Sequence, residues 1–395
     1  PTPAVYHSFF GYSLALNEEL LIVGAPFYGH PQNNISSGRV FVFARNQGGT
    51  DNWGLIKEIV SNDAAGGDQF GINVSLSGDT LAVGALNENS GTTVRNGAVY
   101  VFRRNQGGLD NWGQTQKITS DLPVDEEQFG YSMQLDGNTL VVGSFLESAY
   151  VFERTPDTSG SWRQTQKITD PDNLSNIGFS WQVASQGDTI AISASGKPTS
   201  THGNGTVLLY RRDPSGNTAW HHHANLVASD SAPSGYLGTS LYLNNDNIFV
   251  GATGAYEWGT AFIGKVYHYT LPPRVTGLFA QTNKGTIDIT PESGSLATVS
   301  SPIEQLDIEF SQQVNNYEGA PPIPLNDVKN PENYLLVRPG LNKVFETTSC
   351  ITGADGDDNI ITVNSVSYDS DSFTATLDTN NGASLPTGDY RLLVC

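Results

Sequence analysis

The feature that most constrains this chain is a set of short strand-like segments that recurs five times before residue 271. The first segment of each set opens with an apolar residue and a glycine: Phe10-Gly11, Phe70-Gly71, Phe129-Gly130, Ile177-Gly178 and Leu237-Gly238. The second segment is apolar and usually ends in Gly-Ala: Leu21–Ala25, Leu81–Ala85, Leu140–Ser144, Ile190–Ala194 and Ile248–Ala252. The third is rich in β-branched and aromatic residues: Gly38–Phe43, Gly97–Phe102, Ala149–Phe152, Gly205–Tyr210 and Gly264–Tyr269. The fourth opens with tryptophan and is missing from the fifth set: Trp53–Ile59, Trp112–Ile118, Trp162–Ile168 and Trp220–Leu226.

Each segment has the composition of a strand and is bounded by turn residues. The turn within Leu76–Leu81 contains Gly-Asp, and its glycine can adopt the positive φ that a narrow hairpin requires. Each set therefore predicts a four-stranded antiparallel meander. One meander cannot bury both of its faces, so the sets must pack side by side, which predicts the four-stranded blades of an all-β propeller. The five visible sets indicate either a small ring or part of a larger one.

The Phe10-Gly11 and Gly24-Ala25-Pro26 motifs resemble the FG-GAP signature, which occurs in the propeller of integrin α-subunits and in many bacterial surface proteins. The resemblance covers roughly residues 5–271 and implies a propeller, but not one particular function. Calcium-binding members of that family carry an acidic loop between the first and second strands. Here the corresponding segment, such as Leu76–Leu81, is only a tight hairpin, so the cation sites of that family are not carried over.

The repeat stops at Pro272-Pro273, which predicts a stiff linker between a propeller over 1–271 and a second domain over 274–395. Alternating apolar segments such as Gln305–Phe310 predict a β-sandwich in the second domain. Three runs there resemble the Ig-like modules of bacterial surface-layer proteins and adhesins: Ile308–Ser311, Asn330–Tyr334 and Leu385–Tyr390. Because the chain stops inside an apolar strand, we expect this Ig-like domain to be truncated at its C-terminus.

The chain is strongly acidic, with a formal net charge of −20 at pH 7. Such a surface repels nucleic acid and anionic membranes, and it suits extracellular solubility and divalent-cation binding. The two cysteines, Cys350 and Cys395, predict one disulfide in an oxidising compartment, with two buried free thiols as the alternative. We therefore expect a secreted or cell-surface protein.

Few residues stand out as candidate ligands. Asp355, Asp357 and Asp358 lie in an acidic, glycine-containing loop that could hold calcium. Calcium is the one cofactor that the sequence suggests, and the alternative is that this loop is a solvated turn. Tyr256 and Trp258 are candidates for ligand binding, and Trp181 is a further candidate for stacking against a carbohydrate. The run His221–His223 is interpreted as structural, because neighbouring strand residues point to opposite faces and no third metal ligand is evident.

Catalytic motifs are missing from the sequence: there is no nucleophile elbow, His-Glu-x-x-His helix or phosphate loop. The prediction is a non-enzymatic module for adhesion, binding or structural assembly, with a protein or glycan partner at the cell surface or matrix. In one variant it is a homo-polymer, the repeating unit of a filament or sheath. The partner-binding loops are predicted to be Phe27–Ser37, Asn87–Asn96 and Ser195–Gly205. A carbohydrate-binding lectin and an extracellular hydrolase are the alternatives, since the two carboxylates of a glycosidase need no fixed spacing.

Overall fold

The computed structural model describes a chain built from strands and turns. The described residues are 8–29, 36–89, 91–156, 160–198, 204–212, 219–228, 235–244, 247–254, 264–271, 275–282, 285–288, 303–310, 334–338, 359–369, 374–379, 384–385 and 390–394. They contain twenty-seven strands and no helix. Consequently no helix in this part of the chain is long and apolar enough to span a membrane.

The chain divides into two compact units, one running to Tyr269 and the other starting at Thr270. The first unit holds five antiparallel sheets, four of which have four strands. In pairing order their strands are β1 (Ser13–Leu16), β2 (Leu20–Ala25), β3 (Arg39–Arg45) and β4 (Trp53–Ile59); β5 (Phe70–Ser77), β6 (Thr80–Ala85), β7 (Ala98–Arg104) and β8 (Trp112–Ile118); β9 (Ser132–Asp136), β10 (Thr139–Gly143), β11 (Ala149–Arg154) and β12 (Trp162–Ile168); β13 (Phe179–Gln186), β14 (Thr189–Pro198), β15 (Asn204–Arg212) and β16 (Trp220–Leu226); and β17 (Leu237–Asn244), β18 (Asn247–Ala252) and β19 (Lys265–Thr270). The predicted four-stranded meanders are confirmed.

The hairpins between first and second strands form as their sequences predict. In the second sheet Ser77 pairs with Thr80, which leaves a two-residue turn of Gly78 and Asp79. Gly78 has a φ of 55°, in the left-handed region that glycine enters at least cost. The strands that flank this turn have a fixed register, so alternate side chains face the two neighbouring sheets.

Successive sheets meet where their first strands begin. At the joint between the first and second sheets, Ser13 Oγ donates a hydrogen bond of 2.8 Å to the carbonyl oxygen of Gly71. That carbonyl lies so close to Gly24 that a Cβ added to Gly24 would sit 2.1 Å from it. Gly71 has a φ of 91°, which turns its carbonyl toward the preceding sheet. The Phe-Gly glycine of one sheet thus packs on the Gly-Ala glycine of the sheet before it.

The same joint recurs twice more along the chain. Asn73 Nδ2 donates to the carbonyl oxygens of Gly130 and Tyr131 at 3.1 and 2.7 Å, and so joins the second sheet to the third. Ser132 Oγ donates to the carbonyl oxygen of Ser180 at 2.8 Å, and so joins the third sheet to the fourth. The positions that touch are therefore set by the repeat.

The fourth repeat aligns differently from its sequence motif. Ile177-Gly178 was the predicted equivalent of Phe70-Gly71, but Phe179 pairs with Ala194 as Phe70 pairs with Ala85. The equivalent of the glycine is therefore Ser180, two positions later, with a φ of 64°. The prediction was wrong because the serine can adopt the left-handed conformation when its hydroxyl is bonded, here by donating to the carbonyl oxygen of Ser148 at 2.9 Å.

Apolar side chains between the sheets form the cores of the first unit. Leu20, Val42 and Ile59 of the first sheet share one cluster with Phe70 and Tyr100 of the second. Three of the four recurring tryptophans are buried: Trp112, Trp162 and Trp220. Trp53 differs from them with a relative exposure of 40%.

The second unit holds two antiparallel sheets. In pairing order their strands are β21 (Gly285–Asp288), β20 (Val275–Thr282), β22 (Ile303–Phe310), β26 (Thr374–Thr379) and β25 (Val363–Asp369); and β24 (Asn359–Ile361), β23 (Tyr334–Arg338) and β27 (Arg391–Val394). Ile308 and Leu377 of the larger sheet belong to one buried cluster with Leu336 of the smaller. Two sheets that share a core agree with the predicted sandwich, and its Ig-like character remains a prediction.

The joint between sheets predicts a specific effect of adding one methyl group. Replacing Gly24 by alanine places a Cβ against the Gly71 carbonyl, so we expect a loss of about 2–3 kcal/mol in the free energy of unfolding. The control is Gly78→Ala, because Gly78 has open space around it and only its positive φ is strained. That variant should lose about 1 kcal/mol. Urea denaturation measures both, and equal losses would contradict the close approach.

Candidate functional site

In each sheet of the first unit, the start of the first strand lies beside the last residues of the second strand, as the pairing of Phe70 with Ala85 illustrates. These positions share one side of the unit. We call this the motif end and define it by the connecting segments 60–69, 86–97, 119–128, 144–148 and 169–178. The predicted binding loops connect second to third strands and therefore belong to this end. Parts of Phe27–Ser37 and of Ser195–Gly205 lie outside the described residues, as does Ser90 in Asn87–Asn96.

Aromatic side chains occupy equivalent positions at the motif end. Tyr12, Tyr131 and Trp181 each follow the left-handed residue at the start of a first strand, where the second sheet has Ile72. The first strands contact one another in chain order, so these positions lie side by side. Phe145, which follows a second strand, completes the group. We call Tyr12, Tyr131, Phe145 and Trp181 the aromatic row.

Three rings of the row, those of Tyr131, Phe145 and Trp181, contact each other. Phe145 and Trp181 are nearly parallel, with an interplanar angle of 8° and centroids 5.9 Å apart. Tyr131 lies 5.8 Å from Phe145 and 6.0 Å from Trp181 between ring centroids. Burial raises the pKa of the Tyr131 phenol above 10.0, and the phenol of Tyr12 adds to the shift. Tyr12 is therefore near enough to Tyr131 to influence its ionisation.

The aromatic row is accessible to a partner. Tyr12, Phe145 and Trp181 have relative exposures of 58%, 43% and 36%, although equivalent or neighbouring apolar side chains such as Ile72 are buried. A contiguous group of exposed aromatic rings is unusual on a soluble protein and indicates a surface for interaction. Of its members, the sequence had pointed only to Trp181. The missed signal was positional, since an aromatic residue follows the motif glycine in two further repeats.

Carboxylates lie in the segments of the motif end, and two of them, Asp63 and Glu88, form a network with Lys117. Its Nζ lies 2.6 Å from both Asp63 Oδ2 and Glu88 Oε1. Burial lowers the pKa of Lys117, but hydrogen bonds to the two carboxylates outweigh this and raise it above 10.5. Asp68 is nearly fully buried beside Glu88 and accepts a hydrogen bond from the Ala65 amide at 2.6 Å. Burial, assisted by Glu88, raises the pKa of Asp68 to about 6.

The next two repeats carry variations on this network. Glu127 is the equivalent of Asp68, and it accepts hydrogen bonds from Ser120 Oγ at 2.7 Å and from Tyr150 Oη at 2.5 Å. Burial raises the pKa of Tyr150, and the bonded Glu127 raises it further. In the fourth repeat Lys197 is buried against Asp170 and lies 2.8 Å from Asp172. Each network fixes the loop that precedes a first strand.

Glu147 orders the backbone beside Trp181. Glu147 occupies a position that is glycine in other repeats, and its own φ is 59°. Its carboxylate accepts hydrogen bonds from the backbone amides of Asn176, Ile177 and Gly178 at 2.6–2.7 Å. A Cβ on Gly178 would lie 3.1 Å from the Trp181 ring, so this segment packs directly against the indole.

The remaining candidates from the sequence are an acidic loop, two aromatic residues, the two cysteines and the histidine run. Asp355, Asp357, Asp358, Tyr256, Trp258, Cys350 and Cys395 all fall outside the described residues, so calcium binding, ligand binding and the disulfide remain predictions. His221, His222 and His223 are exposed on β16, where His222 Nε2 lies 2.9 Å from Asn225 Oδ1. Within the described ranges no group of three or more histidine, cysteine or acidic side chains could hold a metal ion.

Comparison with known families follows the repeat. Residues 53–102, 112–161 and 162–210 match the FG-GAP repeat family. Three stretches of the chain are therefore FG-GAP repeats. Each begins at a tryptophan in a fourth strand; the first and third end in the third strand of the following sheet, and the second ends at Ser161, after that strand, so each spans one joint. The all-β sheets fit a propeller-like fold of this kind. A search of curated proteins found no match to the chain.

The shifted pKa of Asp68 predicts a pH effect on stability. Between about pH 4 and pH 6 the folded protein keeps a proton on Asp68 that the unfolded chain has lost, so stability from this group falls as the pH rises through that window. As the pH rises from 4 to 7.5, we expect the free energy of unfolding of Asp68→Asn to increase relative to that of the wild type. Urea denaturation at each pH measures this difference.

Asp63 provides the matched control with the opposite sign. Burial raises its pKa, but the hydrogen bonds from Lys117 and Tyr100 and the charge of Lys117 together outweigh this, and the pKa lies below 3.8. Asp63 therefore adds stability at neutral pH that is lost as the pH falls below its ordinary range. Asp63→Asn should cost stability at pH 7.5 and cost less in acid. The same pH trend in both variants would contradict the network.

Proposed function

We propose that this chain is a non-catalytic, extracellular or cell-surface binding protein that recognises its partner with the motif end of its first unit. FG-GAP repeats point to a propeller domain of a kind often involved in binding or adhesion. The observation that carries the proposal is the exposed aromatic row, which lies where the repeat brings several loops together. Loops held by a rigid scaffold are a common means of recognition.

The location of the row favours binding over a purely structural role. Its rings stay exposed while the joints beneath them are closed by hydrogen bonds and glycine contacts. The rings of the row are therefore not needed to fill a core. The residues of the joints beneath them hold the rings in place. Tyr and Trp rings give a large contact area with few rotatable bonds, which suits recognition.

A binding screen with matched variants tests this proposal. Tyr131→Ser with Trp181→Ser removes two rings of the row, and the control Trp53→Ser removes an exposed ring at the opposite end. The wild-type chain and the control should bind the same secreted proteins or glycans on an array, and the row variant should lose at least about tenfold in affinity for them. Binding that survives in the row variant would contradict the proposal, as would turnover of a bound polysaccharide.

Self-assembly is a second candidate function, favoured by one face of the first sheet. Leu14, Leu16 and Leu55 are exposed there, with relative exposures of 62%, 67% and 42%. The corresponding face of the second sheet, with Leu76 and Phe102, packs against the first sheet in a shared core. An apolar sheet face of this kind is a surface on which another sheet can pack.

Light scattering measures whether that face drives assembly. We expect the wild-type chain to increase in mass with concentration, and Leu14→Glu with Leu16→Glu to remain monomeric, because buried carboxylates oppose an apolar contact. Leu109→Glu is the control, since Leu109 is 88% exposed in a turn at the other end of the second sheet. A monodisperse wild-type monomer at all concentrations would remove this candidate.

A further inference from the structure

The motif end carries far more negative than positive charge. Its five connecting segments contain a single basic residue, Arg95, and the loop Ser195–Gly205 at the same end adds Lys197. The same segments contain many carboxylates: Asp63, Asp68, Glu88, Asp121, Asp125, Glu126, Glu127, Glu147, Asp170 and Asp172. Because these segments surround the aromatic row, a partner that reaches the rings enters a strongly negative potential.

At the opposite end of the same sheets, arginines from adjoining strands pair with carboxylates of the turns. Arg45 pairs with Asp51 at 2.5 Å, Arg104 with Asp110 at 2.8 Å, and Arg212 with Asp188 at 3.2 Å. Each of these turns therefore has an arginine from an adjoining strand beside its carboxylate. Strand arginines therefore offset part of the negative charge at that end, whose turns also carry Glu18, Glu19 and Asp79.

Neighbouring cations neutralise only part of the charge at the motif end. Lys117 and Lys197 enter from adjoining strands to pair with buried carboxylates, and Arg95 pairs with Glu126 at 2.8 Å. Asp121 and Asp125 are exposed, and the Asp125 carboxylate accepts a hydrogen bond from the Val94 amide at 2.8 Å. The Glu147 carboxylate is bonded to backbone amides, which leave its charge in place.

The aromatic rings of this protein already receive cations elsewhere. The guanidinium of Arg39 lies 4.5 Å from the centre of the Tyr28 ring, and that of Arg212 lies 4.5 Å from the Trp220 ring. Lys117 and Lys167 lie over Tyr100 and Tyr150 at 5.4 and 5.3 Å. A cation over an aromatic face is attracted by the ring quadrupole. The exposed faces of Tyr12, Phe145 and Trp181 offer the same interaction to a partner.

We infer that the partner of the motif end is a protein segment rich in arginine or lysine. One or more of its cations lie on the aromatic row, and flanking cations face the carboxylates of segments 86–97, 119–128 and 144–148. This inference rests on the proposed binding function and names the chemistry of the partner. The negative field steers such a segment to this end, and the rings fix where its cations stop.

Peptide binding to the purified full chain tests the inference. The probes are short labelled peptides of alternating arginine and glycine, with lysine and glutamine counterparts, measured by fluorescence anisotropy. We expect the arginine and lysine peptides to bind and the glutamine peptide not to bind, and we expect added salt to weaken binding. Trp181→Ala should weaken arginine-peptide binding about tenfold, whereas Trp53→Ala should leave it unchanged.

A second variant keeps the result clear if loss of Trp181 disturbs the fold. Asp121→Asn with Asp125→Asn changes only exposed carboxylates, and it should also weaken the basic peptides severalfold and reduce their salt dependence. Arginine-peptide affinity that is equal in wild type, Trp181→Ala and the double variant would overturn the inference.

A glycan array on the same proteins separates this inference from the proposed function. If a neutral glycan binds in a Trp181-dependent manner and the basic peptides do not bind, the basic partner is wrong and binding by the motif end stands. If neither class binds in a manner that depends on Trp181, both the inference and the proposed function fail.

Discussion

The structure depends on one close contact, the packing of a left-handed carbonyl on a glycine of the preceding sheet. Gly71 approaches Gly24 in this way, and Ser180 approaches Gly143. The distance is too short for any side chain, and a hydroxyl from the first strand satisfies the carbonyl. Because the contact ties the start of one first strand to the end of the previous second strand, it fixes how each sheet follows the last. The Phe-Gly and Gly-Ala motifs are the two halves of this joint.

Function at the motif end follows from the same contact. The residue after the left-handed position is the buried Ile72 in the second sheet but an aromatic residue in the first, third and fourth, and Tyr131 and Trp181 stand beside each other there with a centroid separation of 6.0 Å. The loops before the first strands β5, β9 and β13 are held by buried acidic networks, two of them around lysine. The protein thus places exposed rings on a rigid base and surrounds them with carboxylates. Binding is the use that this arrangement favours.

The sequence predicted the repeat well and the surface poorly, for physical reasons. Strand identity and hairpin turns follow from local composition, so β5 to β8 could be assigned directly. The fourth repeat was misaligned because Ser180 does by hydrogen bonding what glycine does by lacking a side chain. Tyr12 and Phe145 were missed because an aromatic residue looks the same in sequence whether it fills a core or faces solvent.

The central claim is that the joints between sheets hold the first unit together, and Asn73 tests it most directly. Its side chain donates to two carbonyls of the third sheet, at Gly130 and Tyr131. Urea unfolding of Asn73→Ala should show a loss of about 2 kcal/mol, since both carbonyls lose a donor. Asn52→Ala, which removes a 3.3 Å bond within an exposed turn, should lose about 0.5 kcal/mol or less. Equal and small losses in the two variants would contradict the account.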